Sequence, residues 1–160
     1  MTVIVVNLGG DEFGLHISRI VEVLGRRKVY RVPHLPFYLS GVINLRGEII
    51  PLVDLRKRFN IEPVTKKELI IVVRAGMNKF GLVVDGVKEV LSMSANDLVP
   101  PPEILRGIKT EYLAGIARKG DRVILVLDLD KLLTPDELSE IKKAVSTGLI
   151  EDSGGEESYG

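Results

Sequence analysis

The chain has 160 residues, of which 45% are apolar and 28% are charged, a composition typical of a globular protein with a buried core. Its 22 basic and 22 acidic residues cancel, so no overall field favours nucleic acid or an anionic membrane as a partner. The absence of cysteine excludes disulfides, thiol catalysis and cysteine-ligated zinc. The first residues show neither a signal peptide nor a membrane span, and we predict a cytoplasmic protein.

Most of the chain is predicted to form short β-strands. Runs rich in valine and isoleucine, separated by Gly, Asn and Asp turn signals, cover residues 3–8, 14–24, 48–55, 69–75, 80–91 and 122–129. The stretches "VPHLP" (32–36) and "VPPPE" (99–103) predict stiff extended connections, because proline cannot join a central strand. Asp54 and Asp128 each follow a strand, and each is predicted to cap a short helical turn.

The C-terminal part predicts one helix, over about 135–147. Thr134 is a good N-cap, Pro135 suits the first helical position, and Glu137 completes a capping box. The apolar stripe of this helix consists of Leu138, Ile141 and Val145. Residues 151–160, "EDSGGEESYG", are acidic and rich in glycine, and predict a disordered tail.

The chain contains an internal repeat. The segment "IVVNLGGDEFGLHISRIVEVL" (4–24) aligns with "IVVRAGMNKFGLVVDGVKEVL" (71–91), and "YLSGVINLRGEIIPLVDLRK" (38–57) aligns with "YLAGIARKGDRVILVLDLDK" (112–131). A module of about 70 residues with short strands avoids open edges most economically as a small barrel. We therefore predict a mainly β domain over 1–150. It would consist of two SH3-like five-stranded barrels packed together, at roughly 3–68 and 69–133, with strand exchange between them as an option.

The sequence offers little support for catalysis or metal binding. His16 and His34 have no second ligand at a metal-like spacing, and phosphate-loop, nucleophile-elbow and zinc-helix motifs are missing. The paired Asp54 and Asp128 suggest an aspartic-protease dyad only superficially, because that chemistry needs glycine-containing loops around the carboxylates. We expect no catalytic residue, no metal and no cofactor.

Two features suggest binding to another protein instead. In the strand "IVEVL", period-two alternation puts Ile20, Glu22 and Leu24 on one face, either in a semi-polar groove for a partner or at the seam between the barrels. The hairpin "NLRGE" (44–48) carries an arginine that its counterpart "RKGDR" lacks at the aligned position. Arg46 is therefore either part of a simple turn or a residue that positions or binds a partner.

The segments that carry these features resemble the CheW-like family of chemotaxis coupling proteins. The resemblance extends over about residues 3–145 and rests on "FGLHISRIVEVL", "GVINLRGEIIPLVDLRKRF", "FGLVVDGVKEVLSM" and "EYLAGIARKGDRVILVLDLDKLL". It implies two β-barrel subdomains and no enzymatic activity. The implied role is an adaptor between methyl-accepting chemoreceptors and the histidine kinase CheA.

The same resemblance implies particular site residues and partners. The implied receptor-binding positions are Ile20, Glu22, Val87 and Leu91, and the implied coupling hairpin contains Asn44, Arg46 and Gly47. The implied partners are the regulatory domain of CheA, the cytoplasmic tips of the receptors and other copies of the coupling protein in arrays at the membrane. Neither nucleic acid nor direct membrane insertion is expected.

Three alternatives are also compatible with some of these features. A CheW-like adaptor of a pilus or gliding pathway would show nearly the same residues. A generic SH3-like module for proline-rich peptides would need more aromatic residues than the four tyrosines and four phenylalanines present. An enzyme built on the paired aspartates is the third alternative.

Overall fold

The computed structural model describes residues 1–25, 27–102, 104–105, 108–146 and 151–157, and it is mainly β. Its strands are β1 (Thr2–Leu8), β2 (Asp11–His16), β3 (Ile20–Leu24), β4 (Lys28–Arg31), β5 (Leu39–Leu45), β6 (Glu48–Asp54), β7 (Leu69–Ala75), β8 (Asn78–Val84), β9 (Gly86–Ser92), β10 (Leu98–Val99), β11 (Ile104–Leu105), β12 (Ile108–Lys109), β13 (Leu113–Lys119), β14 (Arg122–Leu127) and β15 (Glu151–Glu157). The α-helices are α1 (Leu55–Arg58) and α2 (Pro135–Ser146). Short 3-10 turns cover Ile17–Arg19, Ala95–Asp97, Thr110–Tyr112 and Leu129–Lys131.

The two large sheets each combine strands from both sequence repeats. The six-stranded sheet has the order β10-β13-β14-β2-β1-β9, and the seven-stranded sheet has the order β15-β4-β5-β6-β8-β7-β3. The hairpin β1–β2 of the first repeat therefore lies in the sheet of the second, and β7–β8 lies in the sheet of the first. We call β1–β2 and β7–β8 the exchanged hairpins, because each lies in the sheet of the opposite repeat. Each is joined to that sheet by a parallel strand pair, β2 with β14 and β8 with β6. The spatial units thus do not coincide with the segments 3–68 and 69–133.

Each sheet encloses its own core. The core of the seven-stranded sheet includes Leu24 of β3 and Val29 of β4, which come from opposite ends of the strand order, so this sheet curls round its interior. The core of the six-stranded sheet likewise joins Leu91 of β9 with Leu98 of β10. The prediction of a mainly β, two-barrel fold is confirmed. The number of strands is corrected from five to six per barrel, not counting β15, because each barrel combines four strands of one repeat with two strands of the other.

A third and larger core fills the seam between the sheets, and it explains the continuous apolar runs of the sequence. Side chains of β1 alternate between the barrel interior (Val3, Val5) and the seam (Val6, Leu8). The equivalent strand β7 alternates in the same way, with Ile70 and Val72 in its barrel and Ile71 and Val73 in the seam. Strands that are buried on both faces show uninterrupted apolar sequence rather than an alternating pattern.

Two predicted strands are each interrupted in the structure. The run 14–24 is broken by the turn Ile17–Arg19, where His16 Nδ1 accepts a hydrogen bond from the Ser18 backbone N–H at 3.3 Å. The run 80–91 is broken at Asp85, where the chain passes from the seven-stranded to the six-stranded sheet. Apolar residues resume after both breaks, since Ile20 packs against the seam core and Leu91 against the core of the six-stranded sheet.

The C-terminal residues also differ from expectation over part of their length. The predicted disordered tail 151–160 includes β15, which pairs antiparallel with β4, while residues 158–160 lie outside the described part of the chain. β4 is the end strand of its sheet apart from this pairing, so its outer backbone groups are available to another strand. The register places Glu157 opposite Lys28 and Glu151 opposite Arg31.

The predicted helix caps are confirmed. Asp54 accepts a hydrogen bond from the Arg56 backbone N–H at 3.0 Å, and Asp128 accepts one from the Asp130 N–H at 3.1 Å. The capping box of α2 is complete, since Thr134 and Glu137 each accept a hydrogen bond from the other's backbone N–H. α2 covers most of the predicted helix, and residue 147 lies outside the described residues.

A charged and aromatic contact fastens α2 across the seam. The Arg58 guanidinium lies 4.1 Å from the ring centroid of Tyr38 and 5.0 Å from that of Tyr112, which occupy equivalent positions in the two repeats. Arg58 donates two hydrogen bonds to the Glu137 carboxylate, at 2.8 and 3.0 Å, and the Tyr38 hydroxyl donates another. One side chain from each repeat and one from α2 thus meet around a single cation.

This contact predicts a pH-dependent contribution of Glu137 to stability. Burial raises the pKa of the Glu137 carboxyl, but hydrogen bonds from Thr134, Tyr38 and Arg58 favour the charged form and leave its pKa below the ordinary value. A carboxyl whose pKa is lowered by folding stabilises the fold above its unfolded pKa of about 4.3, and this contribution disappears as the pH falls through the folded pKa. Glu137→Gln should therefore lower the free energy of unfolding most above about pH 5 and progressively less towards about pH 3.

Urea unfolding at a series of pH values measures this difference. Glu140→Gln removes a carboxylate from an exposed position of the same helix, and it should have a small effect throughout. A difference between wild type and Glu137→Gln that does not change with pH would contradict the assignment.

Candidate functional site

The hairpin between β5 and β6 turns through only two residues, Arg46 and Gly47. Their φ angles are +51° and +87°, and Leu45 pairs directly with Glu48, the arrangement of a type I′ turn. Asn44 Oδ1 accepts a hydrogen bond from the Gly47 backbone N–H at 2.8 Å. Glycine and asparagine adopt positive φ at little cost, whereas arginine does so rarely. An arginine held in this conformation therefore suggests a role other than turning the chain.

The Arg46 side chain makes an ion pair with Glu22 of β3. Its guanidinium donates a hydrogen bond to Glu22 Oε1, which lowers the pKa of the Glu22 carboxyl, and the coulombic attraction of the cation lowers it further. The Arg46 side chain remains 69% exposed and that of Glu22 29% exposed. A second pair, Lys79 with Glu48 at 3.0 Å, lies on the same hairpin and on β8. The structure thus brings together two residues that the sequence singled out for separate reasons.

The face of strand β3 that carries Ile20, Glu22 and Leu24 is more buried than the opposite face. Leu24 is buried in the barrel core, and Ile20 packs against the seam, so the face that carries Glu22 is largely internal. Val21 and Val23 are the exposed apolar residues of this strand, at 38% and 44%. The alternation of residue types could have identified them, because they occupy the opposite face to Glu22 in a strand of period two.

Strand β9 is the equivalent of β3 in the other sheet and lies at its end. Val87 is 38% exposed and Val90 is 56% exposed, whereas Leu91 packs against the core of the six-stranded sheet. A register shift occurs at equivalent places in both strands, at Val21 of β3 and Lys88 of β9. Val87 and Leu91 therefore belong to a different sheet from the pair of Glu22 and Arg46.

The second barrel has an ion pair comparable to that of Glu22 with Arg46, but the alignment of the two repeats does not reveal it. Glu89, the equivalent of Glu22, makes an ion pair with Arg122 of β14. Arg122 also pairs with Glu12 at 2.8 Å, and Lys88 pairs with the same Glu12 carboxylate at 2.7 Å. Arg122 stands two residues beyond the position that aligns with Arg46, so residue-by-residue alignment misses it.

The paired aspartates do not form a dyad. Asp54 ends β6 of the seven-stranded sheet and Asp128 follows β14 of the six-stranded sheet, and each caps its own helical turn. Asp54 also accepts a hydrogen bond from the Arg56 side chain at 3.2 Å. Within the described ranges, no group of three or more His, Cys, Asp or Glu side chains could hold a metal ion. In the same part of the chain, no helix is long and apolar enough to cross a membrane.

Comparison with known proteins gives consistent matches. The family model described as "CheW-like domain" matches residues 2–137. "Chemotaxis protein CheW" of Klebsiella aerogenes is 38% identical over 138 residues, which cover 85% of this chain and 83% of that protein. "Chemotaxis protein CheW" of Treponema pallidum is 31% identical, with 84% of this chain and 82% of that protein covered. The crystal structure of scaffolding protein TtCheW from Thermoanaerobacter tengcongensis is similar with a TM-score of 0.79 at 36% identity, over 85% of this chain and 89% of that chain.

The backbone of the hairpin allows the two readings of Arg46 to be separated. If Arg46 serves mainly to turn the chain, Arg46→Asn should preserve its role, because Asn-Gly is the preferred type I′ pair. We expect Arg46→Asn to unfold at the same temperature as wild type or at a higher one, since asparagine relieves the strain at φ +51°. Arg46→Ala loses the same ion pair without that relief and should unfold at a lower temperature than Arg46→Asn.

Thermal unfolding followed by circular dichroism checks this order. A clear loss of stability in Arg46→Asn would show that the exposed ion pair with Glu22 holds the barrel together, contrary to the small contribution expected of such pairs.

Proposed function

The chain belongs to the CheW-like domain family, and on that basis we propose that it is a non-enzymatic adaptor that couples methyl-accepting chemoreceptors to the histidine kinase CheA. The observation that carries the proposal furthest is the pair of Glu22 and Arg46, in which an arginine with strained backbone presents its charge to solvent. The relatives reported above are named as chemotaxis proteins. This favours chemotaxis over a pilus or gliding pathway.

We infer that the receptor tip and the kinase bind to different parts of the two-barrel surface. The receptor contacts would involve β3 and β9, with Ile20, Glu22, Val87 and Leu91, and the coupling hairpin would be Asn44, Arg46 and Gly47. Exposed valines beside charged residues suit such a role, because protein interfaces combine apolar anchors with a polar rim. The protein would act in the cytoplasm, beneath receptor arrays at the membrane, alongside other copies of itself.

The half-buried position of Ile20 affects how the proposal should be tested. An acidic substitution there would place a charge against the seam core, so lost binding could reflect lost folding. Val87 is a cleaner position, since 38% of it is exposed at the end strand of its sheet.

Reconstitution with a CheA-like kinase and a receptor fragment tests the function directly. We expect a ternary complex and altered autophosphorylation of the kinase only when all three components are present. Val87→Asp should weaken receptor binding about tenfold or more, as expected for an interface anchor, while leaving kinase binding unchanged. Val123→Asp on β14, where the valine is 43% exposed, is the matched control and should bind both partners normally. Failure of the wild-type chain to change kinase activity in the presence of receptor would contradict the adaptor function.

A charge swap separates direct recognition of Arg46 from its pairing with Glu22. In the double variant Arg46→Glu, Glu22→Arg, the ion pair can form again with the charges exchanged. If a partner contacts the Arg46 cation, coupling should fail in both single variants and in the double variant. If coupling needs only a tethered hairpin, the double variant should recover most of the activity that either single variant loses. We expect no recovery, because the exposed cation is the feature that a partner can contact.

A further inference from the structure

Strand β4 lies near one end of the seven-stranded sheet and is covered on its outer edge by β15. On its inner side β4 pairs with β5, with Tyr30 opposite Val42. Val29 is buried in the barrel core, while Lys28 and Arg31 are exposed. Without β15, the outer backbone N–H and C=O groups of β4 would form an open edge, to which another extended segment can add.

The charges of the two segments are complementary. The stretch "GRRKVYR" (25–31) has four basic residues and no acidic one, and "EDSGGEE" (151–157) has four acidic residues and no basic one. These segments concentrate opposite charges within a chain whose overall balance is zero. The antiparallel register then sets Glu156 opposite Val29 and Glu157 opposite Lys28. Opposite charges on adjacent strands favour pairing, and like charges oppose it.

We propose that the outer edge of β4 is a strand-addition surface for acidic extended segments, and that the chain's own residues 151–157 occupy it in cis. Main-chain hydrogen bonds supply affinity for any extended segment. The basic residues of β4 favour an acidic segment over others. They would repel a basic strand, and they would not attract a neutral one. An acidic segment of another protein therefore competes with the C-terminal segment for this edge.

The basic residues of β4 also discourage edge-to-edge aggregation, as charged residues on edge strands commonly do. If the basic residues only prevented aggregation, the outer edge of β4 would have no preferred binding segment. The pairing with an acidic segment of the same chain is what points to selective binding instead. β4 carries none of the residues proposed for the receptor contact or the coupling hairpin, and the test below uses neither receptor nor kinase, so its result is independent of the adaptor function.

Truncation after Ser146 gives the protein needed for the test. The buried residues of the three cores all lie between Val3 and Ile141, and the family match ends at residue 137. The shortened chain therefore retains its whole described core. A fluorescent peptide with the sequence of residues 149–160 is titrated against the truncated and the full-length chains. The control peptide carries glutamine or asparagine at Glu151, Asp152, Glu156 and Glu157.

We expect the acidic peptide to bind the truncated chain and to bind the full-length chain at least about tenfold more weakly, because the tethered segment competes at high effective concentration. Binding should weaken as salt is added. Lys28→Glu with Arg31→Glu in the truncated chain should abolish it. Lys66→Glu with Lys67→Glu makes the same charge change at exposed loop positions and should leave binding nearly unchanged.

Several results would overturn the proposal. These are no binding to the truncated chain, equal binding of the neutral peptide, equal binding to the truncated and full-length chains, or equal loss in the two charge-reversed variants. Circular dichroism and thermal unfolding of each variant establish that it is folded. Hydrogen exchange gives a second readout, since those Lys28–Arg31 amides that point towards β15 should exchange faster after truncation and slow down again when the peptide is added.

Discussion

The burial of both faces of β1 and β7 is the constraint on which the rest of the fold depends. Each strand contributes one set of side chains to a barrel and the other set to the seam, so neither barrel can be completed without the opposite repeat. The parallel strand pairs hold each exchanged hairpin within the sheet of the opposite repeat, and the shared seam core packs the two sheets together. The relative position of β3 in one sheet and β9 in the other therefore depends on the packing of this seam.

A buried charge cluster reinforces the crossing between the sheets. Arg56 of α1 donates hydrogen bonds to Asp54 and to Glu68, and it lies 3.6 Å from Asp85, the residue at which the chain changes sheet. Asp85 in turn accepts a hydrogen bond from the Gly9 N–H, at the turn of the exchanged hairpin β1–β2. Burial raises the pKa of the Glu68 carboxyl above its ordinary value, and the nearby Arg56 charge offsets only part of this increase. Losing one member of such a cluster leaves other charges buried without compensation, which is far more costly than losing a surface pair.

Local signals in the sequence predicted the pieces of this fold better than their arrangement. The capping box at Thr134 and Glu137, the caps at Asp54 and Asp128 and the hairpin within "NLRGE" (44–48) all depend on residues close in the chain. The breaks at Ile17–Arg19 and Asp85 were not predicted, although the polar stretch "HISR" and the pair Asp85-Gly86 carry turn-forming residues that could have indicated them. The meeting of Glu22 with Arg46 also depends on how the sheet curls, which no local pattern encodes.

The two barrels differ in the exposure of the arginine that pairs with the glutamate of the end strand. Both have a glutamate on an end strand and an arginine on a hairpin, but Arg122 is divided between Glu12 and Glu89 and its side chain is only 31% exposed. Arg46 is 69% exposed and is held at the turn of a short hairpin in a conformation that its side chain disfavours. A cation already shared between two carboxylates gains little from another acceptor, whereas one with most of its surface in solvent can still donate to one. The duplicated architecture therefore provides two similar frameworks, in which the arginine that pairs with the end-strand glutamate is mostly exposed in the first barrel and mostly covered in the second.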